Sequence, residues 1–481
     1  MLWTPSQSNI VNNEKPRRRQ HRGNVPTKRK PEKGLSCAAA VSKLDLNMSL
    51  FGSSGIRGKL GSEFTVDLAL KIGAAAGTIA DSIVIAKDPR TSGDLVVRAL
   101  EAGAMASGAN VAEAGMIPTP TLARAACAFD CGLMVTASHN PPEYNGVKMW
   151  NPDGSAFDSG QMRRIEDIIS TGTIRRPDWQ GVGSLTYHSS ALEDHMRAVL
   201  EAVGSADADV VVDCANGATS VITPLLLRKL GCKVTSINAQ PDGFFPGRSP
   251  EPTEEHLSDL RGLVSRKGAA LGIAHDGDGD RMVAVDENGR YIDGDRLLAL
   301  FVVALEAKNV VAPVDASMVL DDLVEGKVHR TKVGDVYVAE VLKSTGADFG
   351  GEPSGTFIFP GQTLCPDGVY AAALLTSMVK ERPLSEMVDA IPKYPVSRMS
   401  RSFKNERRGE VRQRLEQSMK EIDCDRLITV DGYRAEFKEG WFLVRLSGTE
   451  PKIRVTVEAR SQESLDLLDN LAEQVVGSCL K

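Results

Sequence analysis

The sequence predicts an α/β protein of several domains: three similar mixed α/β units in succession, then a smaller α+β domain. Three observations carry this. Short apolar strands alternate with helical stretches from Thr65 to about Ile391, the pattern of βα units, whose functional loops lie at the carboxyl ends of strands. At 481 residues the chain exceeds what one hydrophobic core organises. After Pro395 the pattern changes to a charged helix followed by paired strand-like runs.

In order, an Ala-rich helix runs from Thr65 to about Ala80, followed by the strand Ile83-Val84-Ile85-Ala86 and a helix from Asp94 to Ala106. The strand Leu133-Met134-Val135 then leads directly into Thr136-Ala137-Ser138-His139-Asn140-Pro141. A polar stretch, Ser170 to Ser184, separates this unit from the next. That unit has a helix from Ala191 to Val203, a strand Asp209 to Val212 with the turn Asp213 to Gly217, and a strand Ala270 to Ala274. The last of these delivers Asp276-Gly277-Asp278-Gly279-Asp280-Arg281. A third unit begins near Asp293 with a helix from Arg296 to Leu305 and contains Gly350-Gly351-Glu352-Pro353-Ser354-Gly355. The final domain comprises a helix from Glu406 to Ile422, strands Tyr433 to Phe437, Trp441 to Leu446 and Lys452 to Glu458, and a helix from Gln462 to Val476. The expected domain limits are 48–184, 185–292, 293–394 and 395–481. Three α/β units that each end strands in Gly/Asp/Ser-rich loops suggest an old triplication.

Hydrophobic residues make up 42% and charged residues 25% of the chain. No apolar run approaches the roughly 20 residues that span a bilayer, so no membrane role is expected. The net charge of −6 conceals an asymmetry: ten lysines and arginines against three acids give residues 1–47 about +7 and leave about −13 on the rest. The acidic body argues against general nucleic-acid binding. The basic arm, with Arg17-Arg18-Arg19 and Lys28-Arg29-Lys30, lacks the apolar stretch of a secretory signal. It is expected to be a disordered extension, with Met48 as the natural initiator; a nucleic-acid tail, a localisation signal and a transit peptide are the alternatives. Eight scattered cysteines include no paired zinc pattern, and Cys127 and Cys131 are expected to be buried small residues beside a helix end. A reducing cytoplasm is the expected compartment.

The chemistry is concentrated in a few loops. In an extended segment Asp276, Asp278 and Asp280 would project to one side, and three carboxylates so close repel unless a cation joins them. Hard oxygen ligands suit Mg²⁺, with a phosphate oxygen completing the sphere. The spacing also mimics a calcium-binding EF-hand, with Glu287 at the twelfth position. However, Arg281 stands where that loop needs glycine, and the flanks are strand-like. A serine in a small-residue loop together with a cation site suggests a phosphoserine intermediate at Ser138. His139 and Lys148 are placed for proton transfer or for steadying phosphoryl charge. Gly52 to Gly58 is a glycine-rich loop offering Arg57, and Asp88-Pro89-Arg90-Thr91-Ser92 is read as a helix cap after a strand. Glu352 and Ser354 offer an acceptor and a donor to vicinal hydroxyls. Arg445-Leu446-Ser447-Gly448-Thr449-Glu450-Pro451 combines a guanidinium, hydroxyls and backbone amides, the ingredients of a phosphate cradle.

Together, the loops at Thr136–Pro141, Asp276–Arg281, Gly351–Gly355 and Arg445–Pro451 resemble, in order, the four motifs of the α-D-phosphohexomutase family. The likeness extends from Met48 to the end. It implies four domains around a central cleft, Ser138 as the phosphoserine, and Asp276, Asp278 and Asp280 as Mg²⁺ ligands together with its phosphate. It assigns sugar hydroxyls to Glu352 and Ser354, and the non-reacting phosphate to Arg445, Ser447, Gly448 and Thr449. Charge would be steadied mainly by Mg²⁺, Arg57, Lys148 and Arg281. The implied reaction is a two-step exchange through a bisphosphorylated sugar, with a bisphosphorylated hexose as activator, and closure of the last domain is expected to retain the intermediate. Val333-Gly334-Asp335-Val336-Tyr337-Val338 resembles the phosphoglucosamine mutase branch, and Glu352-Pro353-Ser354-Gly355 its archaeal-type members. An acidic Asp335 would favour an ammonium on C2. Thr356 stands where many relatives have histidine, and Asp335 where some dual-specificity mutases do. A phosphomannomutase/phosphoglucomutase and a non-catalytic sugar-phosphate binding relative are the alternatives.

Overall fold

The computed structural model describes residues 55–447 and 450–481. The expectation for residues 1–47, and the roles expected for Gly448 and Thr449, lie outside the described residues.

Among the described residues, four sheets follow one another along the chain. The first contains β1 (Ile56–Lys59), β2 (Ser82–Lys87), β3 (Asn110–Met116), β4 (Cys131–Val135), β5 (Tyr144–Trp150) and β6 (Leu185–Tyr187), in the order β1-β5-β4-β2-β3-β6. The second contains β7 (Asp209–Asp213), β8 (Lys233–Ile237), β9 (Leu271–His275), β10 (Met282–Asp286) and β11 (Tyr291–Ile292), ordered β11-β10-β9-β7-β8. The third, ordered β13-β12-β14-β15, contains β12 (Asn309–Pro313), β13 (Lys327–Thr331), β14 (Phe349–Glu352) and β15 (Thr356–Ile358). The fourth contains β16 (Val396–Ser402), β17 (Arg426–Ile428), β18 (Tyr433–Phe437), β19 (Gly440–Leu446) and β20 (Lys452–Ala459), and every pairing in it is antiparallel.

The first three sheets share one connectivity. A central strand pairs in parallel with both neighbours, β2 with β3 and β4, β7 with β8 and β9, β12 with β13 and β14. The second neighbour then turns back antiparallel: β4 to β5, β9 to β10, β14 to β15. The three turnbacks contain Ser138, the aspartate cluster and Ser354. Each unit therefore presents the same link at the carboxyl end of the same strand, where α/β folds carry their sites. This shared topology fits the triplication inferred from the loops.

The Ala-rich helix Val66–Ile79 packs against Gly93–Ala106 at backbone distance, which explains its small residues. A Cβ on Gly73 would lie 2.1 Å from the Leu100 carbonyl oxygen, and one on Gly103 would lie 2.1 Å from that of Leu70. β6 pairs with β3, so residues 185–187 belong to the first sheet, past the boundary expected at 184/185. Cys131 is buried as expected, where it opens β4, but the expectation for Cys127 needs correction: it is exposed in a short helical turn.

Buried polar groups join the units. His195 takes hydrogen bonds to Thr121 (2.8 Å) and Asp367 (3.0 Å), linking residues of three units. Arg281 and Thr356 form an antiparallel bridge, and the Met282 N–H donates to the Gly355 carbonyl at 2.9 Å, so the second and third turnbacks are tied through backbone. Glu458 of the fourth sheet accepts from Ser317 Oγ (2.6 Å), Met318 N (2.7 Å) and Trp441 Nε1 (2.7 Å). The Arg434 guanidinium lies 3.8 Å over the Trp441 ring and donates to the Val314 and Ala316 carbonyls. Burying such groups is tolerable because each finds partners.

Candidate active site

Ser138 sits directly beyond β4, buried, with φ of 51°. A left-handed backbone at a non-glycine residue costs energy and persists only where the surroundings over-determine it. Its Oγ donates to Asp276 Oδ2 at 2.7 Å, joining the first turnback to the second, and its N–H donates to Thr136 Oγ1 at 2.8 Å.

Asp276, Asp278 and Asp280 each offer an oxygen lying within 4.8 Å of the others. They converge for a different reason from the expected strand alternation. Residues 276–280 are a bent loop with Gly279 at φ of 77°, and Asp276 Oδ1 accepts from the N–H groups of Gly279 (2.9 Å) and Arg281 (3.3 Å). The curvature, not a period of two, turns the carboxylates together. Gly277 is required by proximity, since a Cβ there would lie 2.5 Å from the Ser138 carbonyl oxygen.

Lys148, on β5 and buried, donates to Asp278 Oδ2 at 2.9 Å and also to Asp280. Thr119 Oγ1 donates to Asp278 Oδ2 at 2.6 Å. Burial opposes ionisation of Asp278, but Lys148 and Thr119 outweigh it and hold the carboxyl below its ordinary value. Burial and the neighbouring Asp280 and Asp278 push Asp276 well above its own. Burial and Asp278 also raise Asp280. Burial would lower Lys148, yet the two carboxylates raise it. The Oδ1 atoms of Asp278 and Asp280 are buried without a partner. Orphaned hard oxygens around a shared point fit a metal ion, which would relieve their repulsion and repay their desolvation.

Arg57, His139 and Arg281 surround this centre and are half-buried. Arg57 Nη1 lies 3.5 Å from Asn140 Oδ1. Arg57 Nε, His139 Nδ1 and Arg281 Nε are buried without partners, capacity that suits an oxyanion. Burial, then Arg281 and Arg57, lower His139 to about 3, so its imidazole is neutral near pH 7.

Glu352, ending β14, accepts the Gly334 N–H at 2.6 Å and the Thr356 hydroxyl at 3.2 Å. Asp335 opens the helix Asp335–Thr345 that follows Gly334. Burial, reinforced by the Asp335 charge, raises Glu352 to about 7. Ser354 is exposed, with Oγ 3.5 Å from Glu352 Oε2. Arg445, on β19, pairs with Asp431 at 2.7 Å and lies 3.9 Å from Asp315. It borders a groove of about 490 Å³ that also presents Arg398, Lys452 and Arg454. Ser447 Oγ accepts the Glu450 N–H at 3.2 Å.

Several roles emerge only here. Arg90 caps no helix; its guanidinium lies under the serine loop, and Ser92, which precedes the helix, makes no side-chain cap. Arg248 pairs with Asp213 (2.9 Å) and donates to the His275 carbonyl (2.6 Å) behind the aspartate loop. Arg408 donates to the Ser447 (2.7 Å) and Glu450 (2.8 Å) carbonyls. Thr119 and Asp431 complete the set. Their partners are distant in sequence, so only the Asp-x-Arg pattern at Asp88 and Arg90 offered a local signal.

Comparison with known proteins agrees with this arrangement. Models of the α/β/α domains I, II and III of phosphoglucomutase/phosphomannomutase match residues 48–176, 187–289 and 293–394, and the C-terminal domain model matches 403–475. A probable phosphoglucosamine mutase of Methanocella arvoryzae is 50% identical over 90% of this chain and 99% of its own length. One from Methanosarcina acetivorans is 48% identical over 90% and 100%. A crystal structure of a phosphoglucomutase/phosphomannomutase family protein from Burkholderia thailandensis superposes with a TM-score of 0.81 at 28% identity, covering 90% of this chain and 97% of that one. Similarity along nearly the whole length, through all four domains, means that this chain belongs to the phosphoglucomutase/phosphomannomutase family of phosphohexomutases, enzymes of the isomerase class.

Proposed function

We propose that the protein is a phosphoglucosamine mutase, interconverting glucosamine 6-phosphate and glucosamine 1-phosphate through phospho-Ser138 and a bisphosphorylated sugar. The observation that carries this is the buried Ser138 hydroxyl bonded to Asp276 at 2.7 Å, beside unpartnered nitrogens on Arg57, His139 and Arg281. The amino sugar is favoured by the juxtaposed acids Asp335 and Glu352, and by the name given to the archaeal relatives.

In the first half-reaction the bond from phosphorus to Ser138 Oγ breaks as one forms to the free sugar hydroxyl, whose proton ends on the freed Ser138 Oγ. In the second, Ser138 Oγ takes the other phosphate: the bond from phosphorus to that sugar oxygen breaks, and the serine proton ends on the sugar oxygen. Arg57, Lys148 and Arg281 steady the charge on the transferring oxygens, and neutral His139 donates a hydrogen bond to them. Asp276, Asp278 and Asp280 would hold Mg²⁺ together with an oxygen of the Ser138 phosphate; when bound, the ion supplies positive charge to the phosphoryl oxygens. Glu352 and Ser354 orient ring hydroxyls, Asp335 faces the ammonium, and Arg445, Ser447, Gly448 and Thr449 hold the non-reacting phosphate. A bisphosphorylated hexose would prime Ser138. We read the domains as 48–187, 188–292, 293–394 and 395–481, and the compartment as cytoplasmic. Among the described residues no helix is long and apolar enough to cross a membrane.

The test is a mutase assay with the 6-phosphates of glucosamine, mannose and glucose, supplied with Mg²⁺ and a bisphosphate primer. The highest kcat/KM is expected on glucosamine 6-phosphate. A preference for mannose or glucose would make the protein a phosphomannomutase/phosphoglucomutase, and no turnover of any would point to a sugar-phosphate binding relative.

A further inference from the structure

We propose that Arg90 is the positioning residue that locks the Ser138 loop in its reactive geometry. A guanidinium has five N–H donors in a rigid plane. Here all five are engaged, and four of them bond to one loop. Nε donates to Asp88 Oδ2 (3.0 Å), Nη1 to the carbonyls of Pro141 (2.6 Å) and Tyr144 (2.9 Å), and Nη2 to those of Ser138 (2.9 Å) and Asn140 (2.7 Å). The segment from the nucleophile to the start of β5 is wrapped around the side chain of a single residue that is 2% exposed.

The circuit closes on Ser138 from its other side. Thr136 Oγ1 donates to Asp88 Oδ2 at 2.7 Å and accepts the Ser138 N–H at 2.8 Å. Asp88 thus anchors both the arginine holding the Ser138 carbonyl and the threonine holding its amide. This pairwise grip supplies the over-determination that a φ of 51° requires. The second unit seals the arrangement. The Phe245 ring lies 5.1 Å from the guanidinium, and a Cβ built on Gly277 would lie 3.5 Å from that ring. Arg90 is therefore stacked against the element that also abuts the aspartate loop.

The reaction gives this lock its purpose. Ser138 alternates between a hydroxyl and a phosphate ester carrying about two negative charges, and in both states it must stay in line with the sugar oxygen. A loop held only by its own turns would relax as that charge came and went. Arg90 fixes the carbonyls from beneath without touching the reacting atoms. It therefore acts on the transfer step and not on sugar binding, which the proposed function gives to the third and fourth sheets.

This inference rests on Ser138 being the phosphoryl acceptor, and the experiment separates the two. Phosphorylation of Ser138 by glucose 1,6-bisphosphate is followed in a single turnover, with steady-state kcat and KM for glucosamine 6-phosphate, in the wild type, Arg90→Lys, Thr136→Val and Ser138→Ala. Arg90→Lys keeps the charge but has three donors for five acceptors. Its phosphorylation rate and kcat are expected to fall on the order of 10²-fold with KM within about 2-fold of wild type, as a displaced but bound substrate predicts. Thr136→Val, which removes the other half of the grip and keeps the volume, should show the same kcat-selective loss, and it decides the matter should Arg90→Lys fail to fold. An unchanged phosphorylation rate in the folded variant overturns the proposal, as does a loss in which KM rises in parallel. Phosphate incorporation into Ser138→Ala would overturn the nucleophile assignment, and the role of Arg90 with it. An inert Ser138→Ala beside an unimpaired Arg90→Lys would remove Arg90 alone.

Discussion

Asp431 holds the Arg445 guanidinium at 2.7 Å and accepts the Val333 N–H at 3.1 Å. One carboxylate in the turn between β17 and β18 therefore restrains the proposed phosphate ligand and also reaches the segment that leads to Asp335.

In the proposed phosphate site, a sugar phosphate would compete with Asp431 for Arg445. The pair is about a third exposed, so it is screened and worth at most about 1 kcal/mol. Asp431→Asn should lower KM for the sugar phosphate by roughly 2–5-fold, consistent with a pair of that strength. Steady-state kinetics at low and high salt check this, and a rise in KM would mean that Asp431 orients Arg445 instead.

The aspartate cluster predicts a metal requirement separable from folding. Chelation should abolish turnover and Mg²⁺ should restore it, while the chain stays folded. Because an ion bound only by the folded state adds stability by mass action, about 2.7 kcal/mol at a hundredfold excess over Kd, Mg²⁺ should raise Tm. In Asp280→Asn that rise should be largely lost. Thermal melts with and without Mg²⁺ measure it, and an equal rise in both proteins would remove Asp280 from the ligand set.

Gly277 faces the Ser138 carbonyl so closely that Gly277→Ala must push the serine and aspartate loops apart. A shift near 1 Å at the proposed nucleophile costs on the order of 10²-fold in kcat. The decisive comparison is with Gly409→Ala, which has open space and should keep wild-type activity. Equal kcat for both variants would contradict the close approach.

Glu352 predicts a pH dependence of stability. Its carboxyl is raised from 4.5 to about 7 in the folded protein, chiefly by burial. The folded state thus binds the proton more tightly than the unfolded chain. The contribution is fully present below pH 4.5 and is lost as pH rises through 7. Urea unfolding between these limits should show stability falling with pH, and Glu352→Gln should flatten that slope. An identical slope in both proteins would sink the assignment.

Much of the molecule was readable along the chain because the signals are local. Strand–helix alternation announced the three α/β units. The change after Pro395 announced the last domain, and strands ending in Ser138 and Asp276 marked where chemistry should sit. Each depends on residues within a few positions of one another, where periodicity and turn chemistry act. Even so, a local reading that rightly brought the aspartates together gave the wrong cause, since Gly279 in the left-handed region and two backbone N–H bonds to Asp276 curve the loop.

Residue identity thus settled which groups are present: a serine in a small-residue loop, three carboxylates, and the loops at Glu352 and Arg445. Folding alone decided what holds them. Arg90 reaches Asn140 across 50 positions, Asp431 reaches Val333 across 98, and Thr119 reaches Asp278 across 159. These bonds join different sheets or different loops of one sheet, so no spacing encodes them. A hydrogen bond is set by angles and tenths of an ångström, and only the packed arrangement of the four sheets defines those.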